Sequence, residues 1–149
     1  MTLRITLAAL SLAVLGTTAA TADSESSAAC PAPGQRFKSP TSPAIFLVDP
    51  DNRARWIPNE TVYFSLWETY DGIVILNDFS ACFGSFTNLN GAHLVKSASS
   101  PQVFIWDSRY GAYRWIINEA VFNKYAFSWR KVRVQSATVS PVTTERWDF

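Results

Sequence analysis

Apolar and polar positions fall along this chain in short blocks, and the blocks recur. Residues 44–48 and 103–106 are nearly continuous apolar runs of strand-forming types, the pattern of strands buried on both faces. Each follows a Ser-Pro step, Ser42-Pro43 or Ser100-Pro101. Asp49-Pro50-Asp51-Asn52 then carries Asp and Pro at the first two positions of a type I turn, and residues 107–111 do the same work with one residue more. Returning strands over 55–57 and 114–117 complete two hairpins, and a shorter strand precedes each, at 36–38 and 93–96. Asn59-Glu60 and Asn118-Glu119 are helix starts: Asn accepts from an orphan amide, and Glu suits the positive end of the dipole. Short helices are predicted over 61–67 and 120–127, and closing strands over 73–76 and 132–135. In the last of these Val132 and Val134 alternate with Arg133 and Gln135, which predicts one wet face.

Aligning the blocks shows an internal repeat. Lys38-Ser39, Ser42-Pro43, Phe46 and Asp49 match Lys96-Ser97, Ser100-Pro101, Phe104 and Asp107 at a spacing of 58. After the longer second turn the spacing becomes 59: Arg55-Trp56-Ile57, Asn59-Glu60 and Tyr70 match Arg114-Trp115-Ile116, Asn118-Glu119 and Trp129. The pattern predicts a tandem duplication, with units at 34–90 and 91–149 inside one domain over 34–149. A unit of that size buries only about 60% of its extended surface and is marginal alone. The expected fold is therefore α+β and β-dominated: two tandem copies of a β-hairpin, short helix and β-strand unit sharing one core. From Ser136 the chain is polar and β-branched, and its closing Trp147-Asp148-Phe149 is expected to dock on the body or cover a sheet edge.

Location follows from the leader and the cysteines. Residues 1–22 read as a secretory signal peptide, with Arg4 in the charged region, an apolar stretch over 5–15 and Ala20-Thr21-Ala22 at the cleavage point. A polar segment at 23–33 would follow. The apolar stretch is too short to span a bilayer, and no later one approaches the ~20 residues required. Ser27-Ala28-Ala29-Cys30 is a poor lipidation signal, because Ser stands where an apolar residue belongs. Cys30 and Cys82, both in the exported part, are expected to pair in an oxidising compartment, secreted or periplasmic.

The strand ending in an F-hydrophobic-hydrophobic-D pattern, the turn, the RWI and NE steps and a closing W-x-K-V resemble a repeat common in secreted and surface proteins of bacteria. That repeat often recurs in tandem beside cell-wall or extracellular domains. The resemblance spans residues 34–134, and the first unit departs from it with Tyr70-Asp71-Gly72 where the second has Trp129-Arg130-Lys131. It implies an extracellular, non-catalytic module and brings no catalytic residues with it.

Composition narrows the chemistry. Charged residues make up 17% of the chain, and the formal charge is +1, so phosphate neutralisation and nucleic-acid binding are disfavoured. The single histidine, His93, leaves no zinc cluster and only a thin case for a nucleophilic triad; no G-x-S-x-G occurs. Asp49 with Asp107, or Glu60 with Glu119, could pair as acid and base across a pseudo-twofold axis, but turns and helix starts favour the same residues. Asp49-Pro50-Asp51-Asn52 offers oxygen ligands without the glycine and closing Glu of a calcium loop. No catalytic residue, metal or cofactor is expected.

What remains is a chain of six Trp, five Tyr and ten Phe with paired Arg-Trp steps. Two readings of Arg55-Trp56 and Arg114-Trp115 stand side by side. In one they form a ligand platform; in the other each Trp fills the core while each Arg pairs with the Glu five residues on, and the second is favoured. The binding candidates are the aromatics that break the repeat, Trp67, Trp106, Tyr110, Tyr113 and Trp147, with Arg55 and Arg114. The partner expected is a glycan or cell-surface polymer, or alternatively another secreted or surface protein to which the chain serves as inhibitor or adaptor. A small glycoside hydrolase ranks last.

Overall fold

A computed structural model describes residues 29–148; the leader expected at 1–22 lies outside the described residues. In chain order the elements are β1 (Arg36–Lys38), β2 (Ile45–Val48), β3 (Ala54–Ile57), α1 (Glu60–Tyr63), β4 (Ile73–Ile75) and β5 (Phe86–Asn88). They continue with β6 (Leu94–Ser97), β7 (Val103–Asp107), β8 (Ala112–Ile116), α2 (Glu119–Lys124) and β9 (Arg133–Gln135). Strands dominate, and they form two mixed sheets with the orders β4-β1-β2-β3-β5 and β8-β7-β6-β9.

Both sheets use one wiring. β1–β2–β3 and β6–β7–β8 are antiparallel meanders, and the strand after each helix returns to pair in parallel with the first, β4 on β1 and β9 on β6. The hairpin registers agree as well: Leu47 faces Arg55 and Phe46 faces Trp56, as Ile105 faces Arg114 and Phe104 faces Trp115. β5 runs parallel to β3, and the C-terminal tail takes the same place beside β8 through bridges at Val142 and Trp147. Trp56 O accepts from Leu89 N and Trp115 O from Trp147 N, each at 2.8 Å. The tail thus covers the edge of the second sheet, as its apolar end suggested.

Alternation along each strand separates two kinds of packing. Leu47 and Ile57 from the first sheet join Leu94, Val103, Ile105 and Ile116 from the second in one cluster, with α1 and α2 contributing Val62, Tyr63, Val121 and Phe122. The opposite face of the first sheet buries Phe37, Val48 and Ala54 under Leu76 and Phe83, and that of the second buries Val95 and Phe104 under Val139. β2 and β7 therefore carry apolar residues on both faces, which accounts for their unbroken apolar runs. Cys82, in a 3-10 turn at Ser80–Cys82, packs against the Phe37 cluster and is bonded to Cys30.

The helices are shorter than the pattern predicted. Asn59 and Asn118 cap them as expected, each Oδ1 accepting from the amide three residues on at 2.9 Å. α1 stops at Tyr63 because the Ser65 hydroxyl takes the Thr61 carbonyl and the chain tightens, with Leu66 N bonding Tyr63 O. α2 ends where Ala126 turns left-handed, at a φ of 52°. Where the segment before β1 meets α2 the fit is close at Gly34: a Cβ there would lie 2.8 Å from the Lys124 carbonyl oxygen.

Candidate functional site

The hairpin turns of the two sheets meet in a buried ionic chain. Asp49 Oδ1 accepts from the amides of Asp51 and Arg53 and shapes its own turn, while Oδ2 faces Arg55 Nη1 at 3.1 Å. The same guanidinium grips Asp107 of the other sheet with two bonds, at 2.6 and 3.1 Å. Asp107 also receives Arg114 at 3.3 Å and the Arg109 amide at 3.0 Å. Arg114 then reaches Asp51 at 3.4 Å, and Arg109 holds Asp51 at 3.1 Å. The remaining guanidinium protons find carbonyls: Asn88 O for Arg55, and Glu145 O and Arg146 O for Arg114. Burial alone would push Asp107 up, but the bonds and charge of Arg55 hold its carboxyl below the ordinary range. Burial lowers Arg55, and the two carboxylates outweigh it, so the net shift is upward.

This geometry corrects the expected Arg–Glu pairing. Arg55 and Arg114 are fully or almost fully buried and bind aspartates, while Trp56 is 42% exposed and points the other way. The two residues of each Arg-Trp step lie on opposite faces of the strand, and it is the charged one that faces inward. Neither arginine presents its side chain to solvent, and Asp49 and Asp107 are closed to it as well.

The other residues singled out from the sequence are scattered. Trp67 is buried, donating from Nε1 to Tyr125 O at 2.9 Å, and belongs to the shared core. Trp106 and Tyr113 form a half-buried cluster with His93. The His93 Nδ1 donates to the Gly91 carbonyl at 2.7 Å, and Nε2 lies 2.9 Å from the Tyr113 hydroxyl. Tyr110 lies beneath the guanidinium groups of Arg109 and Arg114. These residues do not converge on one cavity.

A groove of about 780 Å³ opens elsewhere, across the first sheet and α1. Trp56 from β3 and Tyr70 from the loop after α1 give it two exposed aromatic walls, with Tyr63 between sheet and loop. Ile45, Ile57 and Ile75 supply aliphatic surface, and Lys38, Asn59 and Glu60 set polar groups around it. The Tyr70 hydroxyl donates to Glu60 Oε1 at 2.9 Å, and that bond raises the phenol's pKa. The wall is braced from behind. Buried Arg36 bonds the Tyr63 hydroxyl and the Asp71 carbonyl, the latter at 2.6 Å, and lies over the Trp67 ring at 4.9 Å. Tyr63 in turn donates to Thr69 O at 2.8 Å. Arg36 and Tyr63 thus hold the Thr69 and Asp71 carbonyls on either side of Tyr70.

Beside the second sheet and α2 lies a smaller groove of about 280 Å³, lined by Trp115, Asn118, Glu119, Phe122 and Trp129. Trp129 stacks on Phe122 with centroids 3.9 Å apart, and the Arg146 guanidinium lies 5.4 Å from the Trp115 ring centroid. Glu60 and Glu119 line different grooves, so they do not form the acid–base pair considered from the sequence. Of the residues lining the larger groove, Trp56 was weighed from the sequence as part of an Arg-Trp platform, whereas Tyr63 and Tyr70 were not among the binding candidates. No family model, curated protein or solved structure matches the chain, so the site rests on its geometry.

Proposed function

We propose that the protein is a secreted, non-enzymatic binding module that takes a glycan or cell-surface polymer in the groove between Trp56 and Tyr70. The observation that carries this reading is a cleft whose lining combines two exposed rings, Trp56 and Tyr70, with aliphatic surface and an Asn, a Glu and a Lys. Flat rings stack on the apolar faces of pyranosides, and the polar groups take hydroxyls and amides. Ile45, Ile57 and Ile75 favour sugars that carry an acetyl group, whose methyl needs apolar surface. Export is supported by the leader-like residues 1–22 and the Cys30–Cys82 bond. The common wiring and register of the two sheets support tandem duplication as the origin of the fold.

Retention of the oxidised protein on insoluble chitin and peptidoglycan tests the reading. Trp56→Ala is expected to weaken retention about tenfold or more, equivalent to ~1.4 kcal/mol, while Tyr110→Ala and Trp106→Ala leave it unchanged. Retention that survives Trp56→Ala and fails on Tyr110→Ala would move the site off the groove. A second reading has its own observation: edge strand β4 beside the groove exposes Val74 and Ile75, which suits a protein partner adding a strand. Co-purification of one partner, lost on Val74→Lys, would favour it.

A further inference from the structure

We infer that the protein is bivalent: the second unit's groove, at Trp115 and Trp129, is a second, weaker site for the same acetylated sugar. This rests on the glycan reading of the first groove and adds a site to it. Trp115, Asn118 and Glu119 stand where Trp56, Asn59 and Glu60 stand in the first unit, each 59 residues on. Their backbone is equivalent too, since Trp115 faces Phe104 in the register in which Trp56 faces Phe46. Asn118 is bound by its cap through Oδ1, as Asn59 is, so both amides keep their Nδ2 donors for a ligand. Trp129 is 50% exposed and holds its ring flat on Phe122, offering its other face outward.

The second groove differs in ways that set its rank. It is about 280 Å³ against about 780 Å³ in the first, and Gln102 stands where the first has Ala44. Arg146 of the tail rests over Trp115 and competes for the ring a sugar would stack on. A short ligand therefore occupies the first groove before the second. The two sheets that carry the grooves share one core, so the spacing of the two sites is set by the fold. Where the length of a polymer spans the two, avidity exceeds either single affinity by on the order of 10²–10⁴-fold.

The test is titration of the whole oxidised protein with N,N′-diacetylchitobiose, followed by calorimetry and tryptophan fluorescence, with near-ultraviolet dichroism to check the fold of each variant. Two equivalents are expected for the native protein, and one each for Trp56→Ala and Trp115→Ala. Trp129→Ala, which alters the second groove from a different wall, should also leave one. Arg146→Ala should tighten the weaker event alone. A single equivalent that disappears with Trp56→Ala and ignores Trp115→Ala, Trp129→Ala and Arg146→Ala overturns bivalency while the first groove stands. No binding of the disaccharide together with no retention on chitin or peptidoglycan overturns both.

Discussion

Removing the Asp107 carboxylate is the sharpest test of how the two sheets are joined. Asp107→Ala deletes both bonds from Arg55 and the one from Arg114, and frees the Arg109 amide. Arg55 keeps only Asp49 among its carboxylates, and Arg114 keeps only Asp51, which is partly open to water. Two guanidinium groups are then left in a dry interior with half their counter-charge. Breaking a buried pair from one side costs about 3–5 kcal/mol. At roughly 4 °C per kcal/mol for a domain of this size, the melting temperature should fall by about 12–20 °C. Urea denaturation at pH 7 and thermal melting would measure both figures. The pH dependence supplies an independent check. The folded-state carboxyl of Asp107 titrates below its unfolded value, so its contribution is complete above about pH 4 and is lost as pH falls through the folded pKa. Asp107→Asn should flatten that acid limb relative to the native protein. A loss under ~1 kcal/mol for Asp107→Ala, or an acid limb unchanged in Asp107→Asn, would show that the ionic chain does not hold the sheets together.

Two further outcomes follow from packing and covalent linkage. Trp147→Ala empties a fully buried site against Tyr125 and Phe127 and should cost about 3–5 kcal/mol in urea denaturation; a loss below ~1 kcal/mol would mean the tail is an ornament. Reducing Cys30–Cys82, which closes a separation of 52 residues, should cost on the order of 4 kcal/mol and lower the melting temperature in dithiothreitol. An unchanged melt would show that the N-terminal segment is held by other means.

Local features were readable from the sequence and distant ones were not. The Asp-Pro turn, both Asn caps and the apolar runs of β2 and β7 declare themselves within a few residues, and each stands where the pattern placed it. The arginine partners were misread because alternation says that Arg55 and Trp56 face opposite ways without saying which face is inner. Ala54 and Ile57 make either face plausible, and the choice depends on Asp107, 52 residues away. The docking of Trp147 on a sheet edge was expected from its apolar end, but its partner Ile116 was not named, because two isolated bridges carry no period. The groove was hidden in part because Arg36, which braces it, sits 33 residues ahead of Thr69 and reads as an ordinary strand residue.

The seat of Trp147 also has a bearing on how the chain reaches its final form. The Trp147 indole closes the interior that both sheets share, and the carbonyls of Glu145 and Arg146 just before it accept from Arg114. Synthesis can lay down both meanders in turn, yet the hydrophobic centre stays open on one side until that ring is made. Completion therefore follows translation of both sheets. Clipping in the stretch between Val139 and Trp147 would act less like trimming a loose end than like pulling a stopper.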